Sequence, residues 1–523
     1  MLRQVASFQK FFKVHPFLKS LSLCFVSASL LILSFPYTDI WIFAWIALVP
    51  FLFALDGKRL GAVCFLGLVT GILFFAGTVY WFIHVTMLGM FLIILYLSLY
   101  FLFFAFFVYL FRKKSALIQL FLLPSAWVAL EFARGHLLSG FGWVSAGLSQ
   151  YKILPLIQIA DLTGIYGVSF LVVMGNVFIT HWIKARLEKG KSESLRQLFR
   201  VVLFLITITL GYGFYRLNQI TPSAQINVVI VQANIPQEIK WDPSAWPGIM
   251  AKYRTLTKEA ALKKPDLIIW PETAFPGFIW EAPELFADLK DFVASLKIPL
   301  LLGIVNQREE EYFNSAIFIS ADGDVVAQYD KLHLVPFGEY IPLRNVFPFL
   351  SSVAPIGDFT PGKKYTLFPA PISRGLVQLK NAVFSVLICF EDTVPAISRQ
   401  FVKRGSNLLV NLTNDAWFQD TKAPFLHMQA AVFRAVENRK YLIRATNTGV
   451  SCFINQNGKI IKAVEDENHR RTYVEGFAAS PVVLSRGNTF YSNFGDVFTY
   501  LCFGGILMGM IMGNLNRKSG RSK

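Results

Sequence analysis

Charge is what this 523-residue chain has least of: Asp, Glu, Lys and Arg make up only 16% of it, where ordinary soluble proteins carry about 25%. That deficit excludes a chain soluble throughout. It is also uneven: residues 1–220 and 496–515 are nearly continuous apolar runs broken by short polar loops, whereas 222–486 have the mixed composition of a soluble α/β domain. Cysteine is scarce as well. Cys24, Cys64, Cys389, Cys452 and Cys502 show no metal-ligand or disulfide spacing, which excludes a zinc module or a disulfide framework. Three of them lie in apolar runs, where a small buried thiol is ordinary packing. No internal repeat or low-complexity tract stands out.

Acid is in short supply too, and a net charge of +17 raises the question of nucleic acid. The distribution answers it. Residues 222–486 hold 28 Lys and Arg against 26 Asp and Glu, and 19 of the 22 basic residues elsewhere sit in five short segments flanking the apolar runs. These are Arg3 to Lys19, Lys58-Arg59, Arg112 to Lys114, Lys184 to Arg200, and Arg517 to Lys523. Such clusters at alternate loops are a topology signal.

With about 20 apolar residues per span, membrane helices are expected near 20–35, 40–56, 61–83, 87–111, 116–133, 164–183, 199–216 and 496–513. The first is read as an uncleaved helix, not a signal peptide, because no small-residue cleavage site follows and further spans do. Eight spans put both termini and every basic cluster on one side, and the loops at 36–39 and 84–87 lack Lys and Arg. The positive-inside rule therefore puts both termini in the cytoplasm and the soluble domain outside. The domains are then 1–216, a membrane domain of about seven helices; 217–495, the extramembrane α/β domain; and 496–523, a last helix with a basic tail. Glu131 and Arg134 interrupt the end of the fifth span, either as an interfacial ion pair or as functional groups, since charge in hydrocarbon is costly.

In the soluble part, strands are expected at 226–232, 266–270, 300–305, 316–320, 325–329, 383–388, 408–412, 441–446 and 452–454, with helices at 243–263, 283–296, 394–404 and 425–439. The alternation argues for a layered α/β fold. Val383-Phe384-Ser385-Val386-Leu387-Ile388 reads as a buried strand and stops at Cys389, followed by Phe390, Glu391 and Asp392. A thiol where a strand turns outward is a common placement for a nucleophile. Upstream, Asp266-Leu267-Ile268-Ile269-Trp270-Pro271-Glu272 is another strand ending in a carboxylate, and Lys331 follows the strand ending at Tyr329-Asp330.

Thiolate chemistry needs a cysteine, a proton acceptor and a donor for the oxyanion. Glu272 can be the base, because burial would raise its pKa toward that of a thiol. Lys331 can favour the thiolate and bond the oxyanion. Glu339 can hold Lys331 charged and oriented, and Asn314 can line the site. His333 has no metal-ligand partners around it and reads as a packed or hydrogen-bonded histidine. No metal or cofactor is expected.

Glu, Lys and Cys in this order, each at a strand end, resemble the catalytic triad of the nitrilase superfamily, which implies an α-β-β-α sandwich. The stretches Trp270-Pro271-Glu272-Thr273-Ala274, Lys331 to Pro342, Asn411 to Phe418 and Arg444 to Gly449 are similar to those of apolipoprotein N-acyltransferases, and the likeness spans essentially the whole chain. The resemblance implies Glu272 as base, Lys331 as oxyanion donor, Cys389 as nucleophile, Glu339 and Glu391 as accessory carboxylates, and Trp241 as a loop tryptophan near the substrate entrance. Phe390 departs from the family's usual tyrosine; it keeps the ring and lacks the hydroxyl. The implied partners are a phospholipid acyl donor, a diacylglyceryl-apolipoprotein acceptor and the membrane, with no nucleic acid. The implied location is the bacterial inner membrane, with the catalytic domain in the periplasm. Two other readings compete: a membrane-tethered nitrilase-type amidase, and a transporter or receptor, which would need charged or broken helices at mid-membrane, of which the sequence has few. Apolar residues crowd two predicted loops, Phe275 to Trp280 and Val346 to Leu350, and suggest contact with lipid.

Overall fold

Uninterrupted apolar runs of about 20 residues can satisfy their backbone in lipid only as helices. A computed structural model describes residues 16–188, 192–219, 224–341, 358–371 and 381–519. It divides into two compact units: residues 1–83, 87–214 and 496–523 form one, and 84–86 with 215–495 form the other.

The first unit is helical: α1 (Pro16–Leu33), α2 (Leu48–Leu55), α3 (Leu60–Val79), α4 (Met87–Phe111), α5 (Ala116–Arg134), α6 (Ile165–Leu187), α7 (Ser192–Leu217) and α8 (Val497–Ser519). Among the described residues, six segments are long and apolar enough to cross a membrane, and Trp41–Leu55, Leu154–Thr163 and Val497–Ile511 are shorter apolar helical stretches. The stretch expected as one helix at 40–56 is instead a 3-10 turn, Trp41–Trp45, followed by α2. Pro50 has no N–H and is tolerated only in a first turn, so the α-helix starts just before it. Asn176 of α6 repairs the break, donating to the Ala44 carbonyl at 2.8 Å and accepting from the Leu48 N–H at 2.8 Å. Small residues let α3 and α4 touch: a Cβ on Gly67 would lie 2.8 Å from the Phe101 carbonyl oxygen, and one on Gly71 2.8 Å from Ser98 Cα. Glu131 and Arg134 both secure the loop after α5. Glu131 accepts from Trp127 Nε1 and the Ala146 N–H, each at 2.7 Å, and Arg134 donates to Ser145 Oγ at 2.9 Å.

The second unit holds two six-stranded sheets. Strands β1 (Ala224–Gln232), β2 (Leu267–Ile269), β3 (Leu300–Arg308), β4 (Glu311–Ile319), β5 (Val325–Asp330) and β12 (Gly476–Leu484) form one sheet, in the order β12-β1-β2-β3-β4-β5. The other, β11-β10-β9-β8-β7-β6, takes β6 (Leu367–Pro369), β7 (Val383–Ile388), β8 (Leu408–Thr413), β9 (Leu442–Thr446), β10 (Cys452–Ile454) and β11 (Ile460–Ala463). Each sheet has three parallel strands flanked by antiparallel ones: β1-β2-β3 in the first and β7-β8-β9 in the second. The parallel strands are linked through helices: α9 (Trp246–Ala261) and α10 (Pro283–Leu296) in the first half, α11 (Pro395–Lys403) and α12 (Ala423–Asn438) in the second.

The pleat explains the layers. Alternate β1 residues Ile226, Val228 and Ile230 pack into a core shared with Phe384, Val386 and Ile388 of β7, so the two sheets face each other. Val229 and Val231 point the other way, onto Ile249 and Tyr253 of α9 and Leu289 and Val293 of α10. The result is the expected α-β-β-α sandwich. Strand ends carry the chemistry, as parallel α/β sheets dictate.

Candidate active site

Cys389 follows β7 directly and opens a 3-10 turn, Cys389–Thr393, that leads to Pro395 and α11. Its φ is +51°, a left-handed conformation that costs a non-glycine residue of order 1–3 kcal/mol and persists only where its surroundings enforce it. The residue is partly exposed, unlike the strand behind it. Glu391 ties this elbow to the loop after β5. One of its oxygens accepts from the Ile388 N–H at 2.7 Å; the other accepts from Tyr329 Oη at 2.8 Å and from the Leu332 and His333 N–H groups at 2.7 and 3.1 Å. Burial pushes the Glu391 carboxyl up to about 7. Its place is behind the site, where it sets the position of Lys331 relative to Cys389. Phe390 lies parallel to the His333 ring, with centroids 6.1 Å apart.

Lys331 comes immediately after β5, and its N–H is fixed by the Asn314 carbonyl at 2.8 Å. Its ammonium is fully buried and sits 2.8 Å from Glu339 Oε2 and 3.9 Å from Glu272 Oε1. The Asn314 side-chain amide donates to Glu272 and Glu339, each at 2.7 Å, and so holds both carboxylates beside the lysine. Glu272 follows β2 through Trp270 and Pro271, and Gly303 of β3 leaves room for it: a Cβ there would lie 2.6 Å from Glu272 Cα.

Burial lowers the affinity of Lys331 for its proton, but Glu339, the Cys389 sulfur and Glu272 outweigh burial and raise its pKa. It stays an ammonium. Burial and the neighbouring Glu339 push the Glu272 carboxyl up, against the pull of Lys331. Burial and Glu272 push the Cys389 thiol well up, and Lys331 opposes them. Both groups are thus pushed toward their protonated forms, and Lys331 draws each of them back toward its charged form, with Lys240 adding to the pull on Glu272. That is the arrangement a base and its nucleophile need.

Lys240, which the sequence did not single out, is also buried. It donates to Thr273 Oγ1 at 2.5 Å and to the Glu272 carbonyl at 3.3 Å, and burial lowers its pKa to about 8. Its neighbour Trp241 is exposed and packs 5.8 Å from Phe278, which in turn contacts Trp280 and Tyr312. The other apolar loop, Val346 to Leu350 within 343–356, lies outside the described residues.

On its other side Cys389 rests on a second buried ionic group. Asp392 and Asp415 are bridged by Arg444 at 2.7 and 3.0 Å and by His427 at 2.8 and 2.9 Å. All four are fully buried. Asp415 and Arg444 fall in the quoted motifs without a role having been read from them; Asp392 and His427 gave no usable signal. The sign of a buried arginine was present, though, because Leu442-Ile443-Arg444-Ala445 puts a charge in the middle of an otherwise apolar strand.

Residues 27–178 match the apolipoprotein N-acyltransferase N-terminal domain, and residues 227–475 match the carbon-nitrogen hydrolase family. The chain is 38% identical over 499 residues to the apolipoprotein N-acyltransferase of Geobacter metallireducens, covering 92% of each. It is 32% identical to that of Haemophilus influenzae over 440 residues, 81% of this chain and 79% of the relative. Among solved structures it is similar to an amidase of the nitrilase superfamily from Nesterenkonia AN1, with 18% identity over 53% of this chain and 96% of the other, at a TM-score of 0.37.

Proposed function

Because the chain belongs to the apolipoprotein N-acyltransferase family, we propose that it moves an acyl chain from a membrane phospholipid to a lipoprotein in two covalent half-reactions. Cys389 Sγ bonds to the ester carbonyl carbon as its proton passes to Glu272. The tetrahedral oxyanion is held by Lys331. The ester C–O bond then breaks, the leaving alkoxide takes the proton from Glu272, and a lysophospholipid departs from the thioester. The α-amine of an N-terminal diacylglyceryl-cysteine next attacks the thioester carbonyl. Thiolate leaves, and Glu272 returns the amine's proton to sulfur. The observation that carries this reading is the left-handed strand-end Cys389 beside a buried lysine held by two carboxylates.

An amine as second nucleophile separates this chemistry from amide hydrolysis. The purified full chain, given phospholipid vesicles and a diacylglyceryl-cysteine peptide, should yield N-acyl peptide and lysophospholipid in equal amounts with ping-pong kinetics. Hydrolysis of a soluble amide without lipid, and no peptide acylation, would favour the amidase reading. The exposed rings of Trp241 and Trp280 support entry of an apolar acyl chain at this loop. Replacing Phe278 and Ile279 with serine should slow thioester formation from vesicles and spare a short soluble ester; equal loss on both would assign that loop to the fold. The basic clusters support residues 217–495 facing the periplasm and both termini the cytoplasm. Reporters at 57–60, 112–115 and 185–198 should then read cytoplasm, and a cytoplasmic signal within 217–495 would overturn this topology.

A further inference from the structure

Cys389 holds a backbone conformation that its own side chain disfavours, so something must enforce it. The contacts that do so converge on its carbonyl oxygen. Asn411 of β8 reaches it with Nδ2 at 3.0 Å, and His427 of α12 with Nε2 at 3.3 Å. Both side chains are fully buried, and each is oriented by the ionic group beneath. Asn411 Oδ1 accepts from Arg444 at 2.9 Å, which turns the amide's N–H groups toward Cys389. His427 Nδ1 faces Asp415 Oδ1 at 2.9 Å, and its Nε2 also faces Asp392 Oδ1 at 2.8 Å. Carboxylates and carbonyls only accept hydrogen bonds, so the ring must donate from both nitrogens. The ring is then an imidazolium, and with Arg444 it balances Asp392 and Asp415. Room for this packing comes from Gly449, where a Cβ would lie 2.1 Å from Asp415 Oδ2.

We infer that Asn411 and His427 are positioning residues for the reaction: together they clamp the Cys389 carbonyl, hold the elbow left-handed, and so aim Sγ at Lys331 and Glu272. The inference rests on Cys389 being the nucleophile. It assigns the buried imidazolium to the geometry of the attack, with no part in moving the thiol's proton.

Three substitutions in the full-length protein separate this role from plain support of the fold. His427→Gln keeps a donor near the Nε2 position, toward Cys389; His427→Asn keeps one near Nδ1, toward Asp415 only. Both remove the same charge. Asn411→Asp keeps the oxygen that Arg444 bonds and loses the donors to Cys389. The readout is single-turnover acylation of the enzyme at saturating phospholipid, followed by intact mass, beside thermal unfolding. His427→Asn and Asn411→Asp should acylate about 10²-fold more slowly, the loss a misplacement near 1 Å produces, with half-saturating lipid unchanged; His427→Gln should recover most of the rate. Equal losses in His427→Gln and His427→Asn that track their unfolding temperatures would overturn the inference, as would a wild-type rate in Asn411→Asp. If instead Cys389→Ala still took up acyl mass, the nucleophile assignment itself would fail.

Discussion

Two buried ionic groups lie on either side of Cys389, and they differ in balance. Asp392, Asp415, His427 and Arg444 close on one another, two negative charges against two positive. Burial pushes the Asp415 carboxyl up, but Arg444 and His427 bring it below its usual range; burial and Arg444 push the His427 ring down, but Asp392 and Asp415 bring it above. Asp415, His427 and Arg444 are each driven toward the charged form. Around Lys331 the pulls oppose one another. Glu272 and Glu339 both lie on the Lys331 ammonium and Lys240 also draws the Glu272 carboxyl down, yet the Glu272 carboxyl and the Cys389 thiol are both pushed up. A closed set of ion pairs fixes geometry, whereas groups pushed toward their neutral forms can pass a proton. The same fold builds both at neighbouring strand ends.

The comparison can be broken at several points. The largest effect should come from Cys389→Ser, which should stay folded and lose acyl transfer, since an alcohol is far less acidic than a thiol and Glu272 cannot activate it equally; turnover at the normal rate in a purified sample would refute the assignment. Glu272→Gln and Lys331→Met come next. Each should lower single-turnover acylation by at least about 10²–10³, the cost of one lost oxyanion donor; the unfolding temperature should change little in Glu272→Gln, whereas Lys331→Met also leaves two buried carboxylates without their ammonium and should unfold earlier. The balanced group should answer chiefly in stability. Arg444→Met leaves buried carboxylates without their bridge and should cost about 3–5 kcal/mol, read as a lower unfolding midpoint in the full-length protein.

A smaller effect sharpens the contrast. Glu339 raises the pKa of Glu272 by like-charge repulsion, and Glu272 must be ionised to accept the thiol's proton. In Glu339→Gln the Glu272 carboxylate persists to lower pH, so the acid limb of the acylation profile should move down in pH even as the maximum falls. An acid limb that stays in place or moves up would show that Glu272 does not set it. Smallest of all should be Cys452→Ser. Cys452 lies in β10, and burial pushes its thiol up to about 12, so activity should not change.

The central strands were legible in the sequence, and three of the four edges were not. β7 and β10 were expected over the residues they occupy, and the other central strands within a few residues; each is an apolar run covered on both faces. β6, β11 and β12 all lie at sheet edges. Pro369 ends β6, Lys462 sits in β11, and β12 carries Gly476, Ser480 and Pro481, residues that an edge tolerates and that a central-strand pattern rejects. The candidate site divides in the same way. Glu272, Lys331 and Cys389 each close a readable strand, whereas Lys240 and His427 gain meaning only from partners far away in sequence. His427, inside the buried helix α12, looks in sequence like any packed histidine.

The most direct measurement is the intact mass of the purified protein after incubation with phospholipid vesicles and no amine acceptor. The account predicts a gain of one acyl chain, mapped by peptide mass to Cys389, reversed by hydroxylamine, kept in Cys452→Ser and absent in Cys389→Ala. No acyl mass on the wild type, or the same mass on Cys389→Ala, would contradict it.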